Sequence, residues 1–126
     1  MKSIYTKNAP APLGAYSQAM VDGSTIYVSG QLPIDIENPD QQLQSIEVQT
    51  TKTLENLEAV LIAAGSDRNH VLKTTIYITD IAIWPQANAA YGEFFGDHKP
   101  ARAAVPVTDL PKGYQIEIEA IATIKK

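Results

Sequence analysis

The C-terminal run Gln115–Ile124 constrains the fold more than any other part of the chain, because its side chains alternate with the period of a β-strand. One face carries Ile116, Ile118, Ala120, Ala122 and Ile124, and the other carries Glu117, Glu119, Ile121 and Thr123. The first face is apolar and suits a position beneath helices. The second face mixes carboxylates with an isoleucine, so we expect another subunit to cover it.

The first half of the chain predicts a hairpin followed by a helix. Ser17–Val21 and Thr25–Gln31 flank Asp22-Gly23-Ser24, and an Asp-Gly pair tolerates the positive φ of a tight turn. Apolar and small residues then recur at helical spacing, at Thr50, Leu54, Leu57, Leu61 and Ala64. Ser45 is the candidate N-cap of this helix, and Gly65 is the expected stop.

The second half predicts strand, helix and strand. Val71–Thr79 is rich in β-branched residues, Pro85 suits the first turn of a helix, and Arg102–Val107 is a short strand. The aromatic and small residues expected in the core here are Trp84, Ala87, Ala90, Tyr91, Phe94 and Phe95. Alternating strands and helices predict parallel pairing with both helices on one side of the sheet. Pro106 cannot donate to a ladder, so its strand is expected at an edge.

Composition narrows the class of protein and its partners. A chain of 126 residues, 44% of them hydrophobic, suits one domain spanning residues 1–126. No apolar run approaches the roughly 20 residues that span a bilayer, and no secretory signal is recognisable at the start. The lack of cysteine fits a reducing compartment, so we expect a cytoplasmic protein. A net charge of −4 without a basic cluster disfavours nucleic-acid binding.

Arg102 and the two glutamates of the last strand are the candidates for chemistry. The planar fork of an arginine can hold a carboxylate through two parallel hydrogen bonds. A glutamate in an otherwise apolar strand is expected to form an ion pair, to be exposed to solvent or to have a functional role. Glu117 and Glu119 share one face, so alternation does not separate them, and a structural ion pair is the other interpretation of Arg102. Local order alone would pair Arg102–Val107 with the last strand as a hairpin.

Several short motifs follow one another in a specific order between Asn8 and Ile124. They include Gly14-Ala15-Tyr16-Ser17-Gln18, Ser29-Gly30-Gln31-Leu32-Pro33, Val71-Leu72-Lys73-Thr74-Thr75, Asn88-Ala89-Ala90-Tyr91, Lys99-Pro100-Ala101-Arg102 and Ile116-Glu117-Ile118-Glu119-Ala120. Each motif is weak alone. Their order and spacing closely resemble the RidA family of imine deaminases, also called YjgF or L-PSP.

The resemblance implies a chorismate-mutase-like α+β fold, in which a mixed β-sheet with an N-terminal β-hairpin carries two helices on one face. It also implies a homotrimer with clefts between neighbouring subunits. In that fold the last strand lies between Thr25–Gln31 and Val71–Thr79, and not beside Arg102–Val107. A trimer would cover the mixed face of the sheet.

The resemblance further implies a function. Family members hydrolyse 2-imino acids, such as 2-iminobutanoate and 2-iminopropanoate, to 2-oxo acids and ammonia. These reactive species arise from pyridoxal-phosphate enzymes that act on serine and threonine, and their hydrolysis needs no cofactor and no metal. By this resemblance Arg102 binds the substrate carboxylate, and Glu117 manages water and protons because the motif register favours it over Glu119. The resemblance also implies that the cleft is lined by Tyr16, Ser29, Gly30, Asn88 and the backbone of Ala104.

Three positions depart from the family pattern. Ala104 stands where cysteine is common, Ala15 where proline is common and Pro106 where glutamate is frequent. Alanine keeps a backbone contact but removes any thiol chemistry, whereas Arg102 and Glu117 are both retained. An alternative function uses the same cleft without catalysis, to sense a 2-oxo acid or another short carboxylic acid and regulate a partner protein.

Overall fold

A single mixed sheet organises the computed structural model, which describes every residue from Met1 to Lys126. Its six strands are β1 (Lys2–Ile4), β2 (Ala19–Asp22), β3 (Thr25–Gln31), β4 (Val71–Ile78), β5 (Ala101–Pro106) and β6 (Ile116–Thr123). They have the order β1-β2-β3-β6-β4-β5 in the sheet. The helices are α1 (Ile46–Ala63) and α2 (Trp84–Phe95), which pack against each other. The predicted α+β class with two helices is confirmed.

The last strand, β6, lies in the middle of the sheet. It is antiparallel to β3 on one side and to β4 on the other, and β4 is parallel to β5. Pairing between β5 and β6, which local order alone predicts, is therefore wrong, because β4 separates them. The edge position expected from Pro106 is confirmed, since β5 has a neighbour on one side only.

The ends of α1 follow the chemistry expected of them. The Ser45 hydroxyl accepts a hydrogen bond from the Val48 amide at 3.3 Å, which satisfies one free N–H of the first turn. At the other end the chain turns away at Gly65, whose φ of +87° is in the left-handed region that favours glycine. Between these ends Thr50, Leu54, Leu57 and Leu61 are buried as predicted, and Ala64 is half-buried.

The two faces of the sheet differ in burial. On the helix side Ile76, Ile116 and Ile118 are 0% exposed, and burying each such side chain stabilises a fold by about 1.5–3 kcal/mol. On the other side Tyr27 is 51% exposed, and Val105 is also exposed. The helices therefore leave this second face, called here the open face, uncovered in a single chain.

The N-terminal segment is fastened by one buried side chain. Gln18 is 1% exposed; its side-chain oxygen accepts from the Thr6 amide at 2.7 Å, and its amide nitrogen donates to the carbonyls of Thr6 and Pro10, each at 3.0 Å. These bonds fix the chain ahead of Tyr16. The sequence patterns do not predict the preceding strand β1, because three residues are too few for an alternation to be recognised. Neither α1 nor α2 has the length and hydrophobicity of a membrane-spanning helix.

Candidate active site

A cleft at the end of β3 and β6 contains one of the two candidate glutamates. It has a volume of about 430 Å³ and is lined by Leu13, Gly14, Tyr16, Ser29, Gly30, Leu32, Pro111 and Glu117. We call it the glutamate cleft. Four residues that the sequence analysis selected, Tyr16, Ser29, Gly30 and Glu117, thus lie together in one chain.

Glu117 lies directly against the backbone of Gly30. A Cβ atom added to Gly30 would be 2.6 Å from Glu117 Oε2 and 2.9 Å from its Cδ. No real side chain tolerates such contacts, so only glycine at position 30 allows the carboxyl its present position. The glycine is therefore a steric requirement of the site.

The environment of Glu117 favours its protonated form. Glu117 is half-buried, and that burial raises the pKa of its carboxyl; the charge of Glu119 raises it further. No cation pairs with Glu117, and it makes no side-chain hydrogen bond within the chain. A carboxyl whose pKa is raised in this way is suited to accept and return a proton.

Glu119 is engaged elsewhere on the open face. Tyr77 pairs in register with Glu117, and its hydroxyl donates a hydrogen bond to Glu119 Oε1. That bond is also the first cause of the raised pKa of Tyr77. Glu119 does not line the glutamate cleft. The two glutamates that strand alternation leaves equivalent are thus distinguished by their partners.

Tyr16 and Ser29 occupy the same cleft with their polar groups already bonded. The Tyr16 hydroxyl accepts from the Leu13 amide at 3.1 Å, and the side chain is 46% exposed. The Ser29 hydroxyl donates to the Ser17 carbonyl at 2.6 Å. The Tyr16 hydroxyl retains its hydrogen for donation to a ligand, and the Ser29 oxygen retains acceptor capacity.

A second cleft lies on the helix side, at the junction of α2 and β5. It has a volume of about 340 Å³ and is lined by Asn88, Tyr91, Gly92, Phe95, Gly96, His98, Lys99, Pro100 and Arg102. We call it the arginine cleft. It brings Arg102 and Asn88 together, and Lys99 adds a second positive charge at the rim.

The guanidinium of Arg102 is exposed and makes no hydrogen bond or ion pair within the chain. Its central carbon lies 5.1 Å from the centre of the Trp84 ring and 5.0 Å from that of the Tyr91 ring. Its N–H donors are therefore free for a ligand. A structural ion pair, the other interpretation of Arg102, is absent.

The two clefts lie on opposite faces of the sheet. Arg102 pairs in register with Thr74, which is buried under the helices, whereas Glu117 pairs with Tyr77 on the open face. The strand β4 also separates β5 from β6. Within one chain Arg102 and Glu117 therefore cannot contact the same small molecule. Ala104, on exposed β5, lines neither cleft.

The contact of α2 with Arg102 is not predicted by the sequence patterns, which assign Trp84 and Tyr91 to the core. Tyr91 is buried, but Trp84 is only half-buried. Trp84, Asn88 and Tyr91 are spaced along one side of α2, which is the signal that could have revealed the contact. No group of three His, Cys, Asp or Glu residues is placed to hold a metal ion.

Known proteins are similar to this chain over nearly its whole length. The family model described as Endoribonuclease L-PSP matches residues 6–124. A RutC family protein of Pyrococcus horikoshii is 47% identical over 94% of each chain. The 2-iminobutanoate/2-iminopropanoate deaminase of Rattus norvegicus is 45% identical, covering 96% of this chain and 88% of the rat protein. The crystal structure of E. coli TdcF with bound serine has a TM-score of 0.93 and 35% identity, covering 99% of this chain and 100% of TdcF.

Proposed function

This chain belongs to the endoribonuclease L-PSP family, also called the RidA or YjgF family, and from that membership we propose that it hydrolyses reactive 2-imino acids. The substrates are 2-iminobutanoate and 2-iminopropanoate, and the products are the 2-oxo acids and ammonia. The observation that carries the proposal is Glu117, a half-buried carboxyl of raised pKa in the wall of an open cleft with no cation beside it.

The chemistry needs three things, which are a held substrate, an oriented water and a group that moves protons. Arg102 holds the substrate carboxylate by two hydrogen bonds. Glu117 takes a proton from water as the oxygen attacks the imine carbon and gives it to the nitrogen, which produces an amino alcohol. Glu117 then takes the proton of the new hydroxyl and gives it to the amino group, so that the carbon–nitrogen bond breaks as the carbonyl of the 2-oxo acid forms, and ammonia leaves. No metal or organic cofactor takes part in this scheme.

The remaining candidate residues have supporting roles in the proposal. The hydroxyl of Tyr16 and the groups of Ser29 and Gly30 orient the water and the imine. Asn88 and the backbone of Ala104 contact the part of the substrate nearest Arg102. Because Ala104 has no thiol, its contribution is limited to its backbone.

We further propose a homotrimer in which the arginine cleft of one copy meets the glutamate cleft of its neighbour. Two features support this assembly. Arg102 and Glu117 lie on opposite faces of one chain, so a site that uses both requires a second copy. The open face also leaves Tyr27 and Val105 exposed, which suits burial between subunits.

A second candidate is a protein that binds a small carboxylic acid and regulates a partner without catalysis. The crystal structure of TdcF with bound serine favours this candidate, because serine is a small carboxylate and not an imine. Both functions use Arg102, and only hydrolysis needs Glu117.

The ribonuclease activity in the family's name is a poorer proposal, since the chain has a net charge of −4 and no basic cluster to hold phosphates. We place the activity in the cytoplasm, since a chain without cysteine suits a reducing compartment.

A coupled assay separates the two candidates. A pyridoxal-phosphate enzyme generates 2-iminobutanoate from threonine, and the loss of the imine is timed with and without this protein. The proposal expects a rate above that of the uncatalysed reaction. Binding of 2-oxobutanoate without any acceleration would favour the regulator.

Sizing by light scattering tests the assembly, and a stable monomer would contradict the shared site.

A further inference from the structure

The Arg102 guanidinium lies over two aromatic rings and makes no hydrogen bond or ion pair within the chain. Its carbon is about equally far from two ring centres, 5.1 Å from Trp84 and 5.0 Å from Tyr91. Both distances are within the range in which a cation is attracted to the face of a ring. This attraction acts on the charge and does not use the N–H donors, so the donors remain available to a carboxylate.

Tyr91 is a rigid support. It is 5% exposed, its hydroxyl shares a 2.7 Å hydrogen bond with that of Thr74, and its ring lies 4.8 Å from that of Phe95. Thr74 is also the register partner of Arg102 on the neighbouring strand. Tyr91 therefore contacts both β4 and β5 from the helix side, because its hydroxyl bonds to Thr74 and its ring faces Arg102.

Trp84 supplies the second ring from the first turn of α2, next to Pro85. It lies on the same side of α2 as Tyr91, two helical turns away. It is half-buried against the core, so the ring is supported from behind while it contacts the guanidinium. The two rings together limit where the guanidinium can lie.

We propose that Trp84 and Tyr91 are positioning residues, which form an aromatic platform that presents the Arg102 fork to the carboxylate of the substrate. The inference rests on the proposed function for the identity of that substrate, a small 2-imino or 2-oxo acid. Without the platform the long arginine side chain samples many rotamers, and binding a carboxylate then requires more ordering. The platform acts on substrate binding and leaves the proton chemistry at Glu117 unchanged.

The size of the effect follows from the strength of such contacts. A ring–cation contact at an exposed site changes binding by about two- to fivefold. Trp84→Leu removes the ring face and is expected to raise the Kd for 2-oxobutanoate and the KM for the imine by about that factor, with kcat unchanged. Trp84→Phe keeps a ring face and is expected to retain most of the affinity.

The experiment measures four variants beside the wild type, using calorimetry with 2-oxobutanoate and steady-state kinetics. Trp84→Leu and Trp84→Phe form the first pair. Tyr91→Phe keeps the second ring but loses the bond to Thr74, and it provides a second test if Trp84→Leu fails to fold. Phe94→Leu is the matched control, because it removes the ring under Arg68, 3.8 Å from that guanidinium, and Phe94 lines neither cleft. It should lower the melting temperature and leave KM unchanged.

The emission of Trp84, the only tryptophan, gives a readout that does not depend on activity. Arg102→Ala should change this emission in the absence of ligand, because it removes a cation from the ring face. Arg102→Ala combined with Trp84→Leu should bind no more weakly than Arg102→Ala alone, since the platform acts only through Arg102.

The outcomes separate the inference from the proposed function. Unchanged emission in Arg102→Ala, or a loss of kcat without a rise in KM in Trp84→Leu, would overturn the platform. Binding of 2-oxobutanoate that depends on Trp84, in a protein that does not accelerate imine hydrolysis, would support the platform and overturn the deaminase. A wild type that binds no 2-oxo acid, with a KM for the imine that Trp84→Leu leaves unchanged, would overturn the platform, whereas the imine assay alone decides the deaminase.

Discussion

Two arginine–glutamate sets in this molecule differ in whether the charges meet. Arg68 contacts Glu58 at 2.6 Å, donates to the Phe94 carbonyl at 2.9 Å and lies on the Phe94 ring. Arg102 also lies on rings of α2, but its donors are free, and Glu117 lies on the other face of the sheet. We call Arg68 and Glu58 the closed set, and Arg102 and Glu117 the open set.

The carboxyls of the two sets respond in opposite ways. Hydrogen bonds from Arg68 lower the pKa of Glu58, whereas burial without a cation raises the pKa of Glu117. A charge that is fully paired stabilises the fold and has no capacity left for a ligand. A charge that is left unpaired in a cleft is costly to the fold and available for chemistry. The closed set therefore provides a matched control for the open set.

The largest expected effect comes from Glu117→Gln. Removing the proton-moving group should lower kcat by about 10²- to 10⁴-fold, while 2-oxobutanoate still binds through Arg102. The imine assay and calorimetry measure the two quantities. Glu58→Gln and Glu119→Gln should retain turnover within a few-fold. Full activity in Glu117→Gln, or an equal loss in Glu119→Gln, would contradict the assignment.

Gly30→Ala tests the position of the same carboxyl without removing it. Since the new Cβ would be 2.6 Å from Oε2, Glu117 must move, and a displacement of about 1 Å can cost up to about 10²-fold in rate. We expect kcat to fall by about 10- to 100-fold with a small change in melting temperature. Full turnover would mean that the present position of Glu117 is not the reactive one.

Arg102→Lys compares the open arginine directly with the closed one. Lysine keeps the charge but loses the planar fork, so KM should rise by about tenfold with kcat nearly unchanged. Arg68→Lys should leave KM unchanged and lower the melting temperature, because it loses the bond from Nε to Glu58. Equal KM values for the two variants would remove the distinction between the sets.

The smallest expected effect is a pH-dependent change in thermal stability, which has opposite signs in Glu117→Gln and Glu58→Gln. The raised pKa of Glu117 means that its ionisation destabilises the folded state, so Glu117→Gln should melt above the wild type at pH 7 and converge with it below the ordinary carboxyl pKa of 4.5. Glu58 has a lowered pKa, and its stabilisation is present above 4.5 and lost as the pH falls further. Glu58→Gln should therefore melt below the wild type at pH 7 and approach it in acid.

Thermal melts from pH 3 to pH 8 at a fixed protein concentration test this prediction, since assembly makes the melting temperature depend on concentration. We expect differences within about 5 °C. Shifts of the same sign in both variants would show that the two carboxyls do not differ as described.

Much of the fold was predictable from local patterns. Alternation in β6 correctly separates buried Ile116 and Ile118 from half-buried Glu117 and Glu119. The Ser45 cap, the Gly65 stop and the edge position of β5 also follow from the chemistry of single residues. These features depend on residues that are close together in the chain, so they can be read from the sequence.

The site was predictable only in part. Residues alone identify Arg102, and strand alternation leaves Glu117 and Glu119 equivalent. The motif register favours Glu117, and the structure adds that Tyr77 engages Glu119. The contacts of Trp84 and Tyr91 with Arg102 were missed, because large aromatic residues on a helix are usually core. The roles of these residues in catalysis and binding remain predictions.

The sequence by itself determined which side chains share a face, because a period of two or of 3.6 residues is a property of the local backbone. Local patterns did not decide which strands are neighbours. The family resemblance implied the central position of β6, and the tertiary structure shows β6 between strands that are distant from it in the chain. That arrangement places Arg102 and Glu117 on opposite faces of one sheet. It depends on long-range packing of the whole core, which no local pattern encodes.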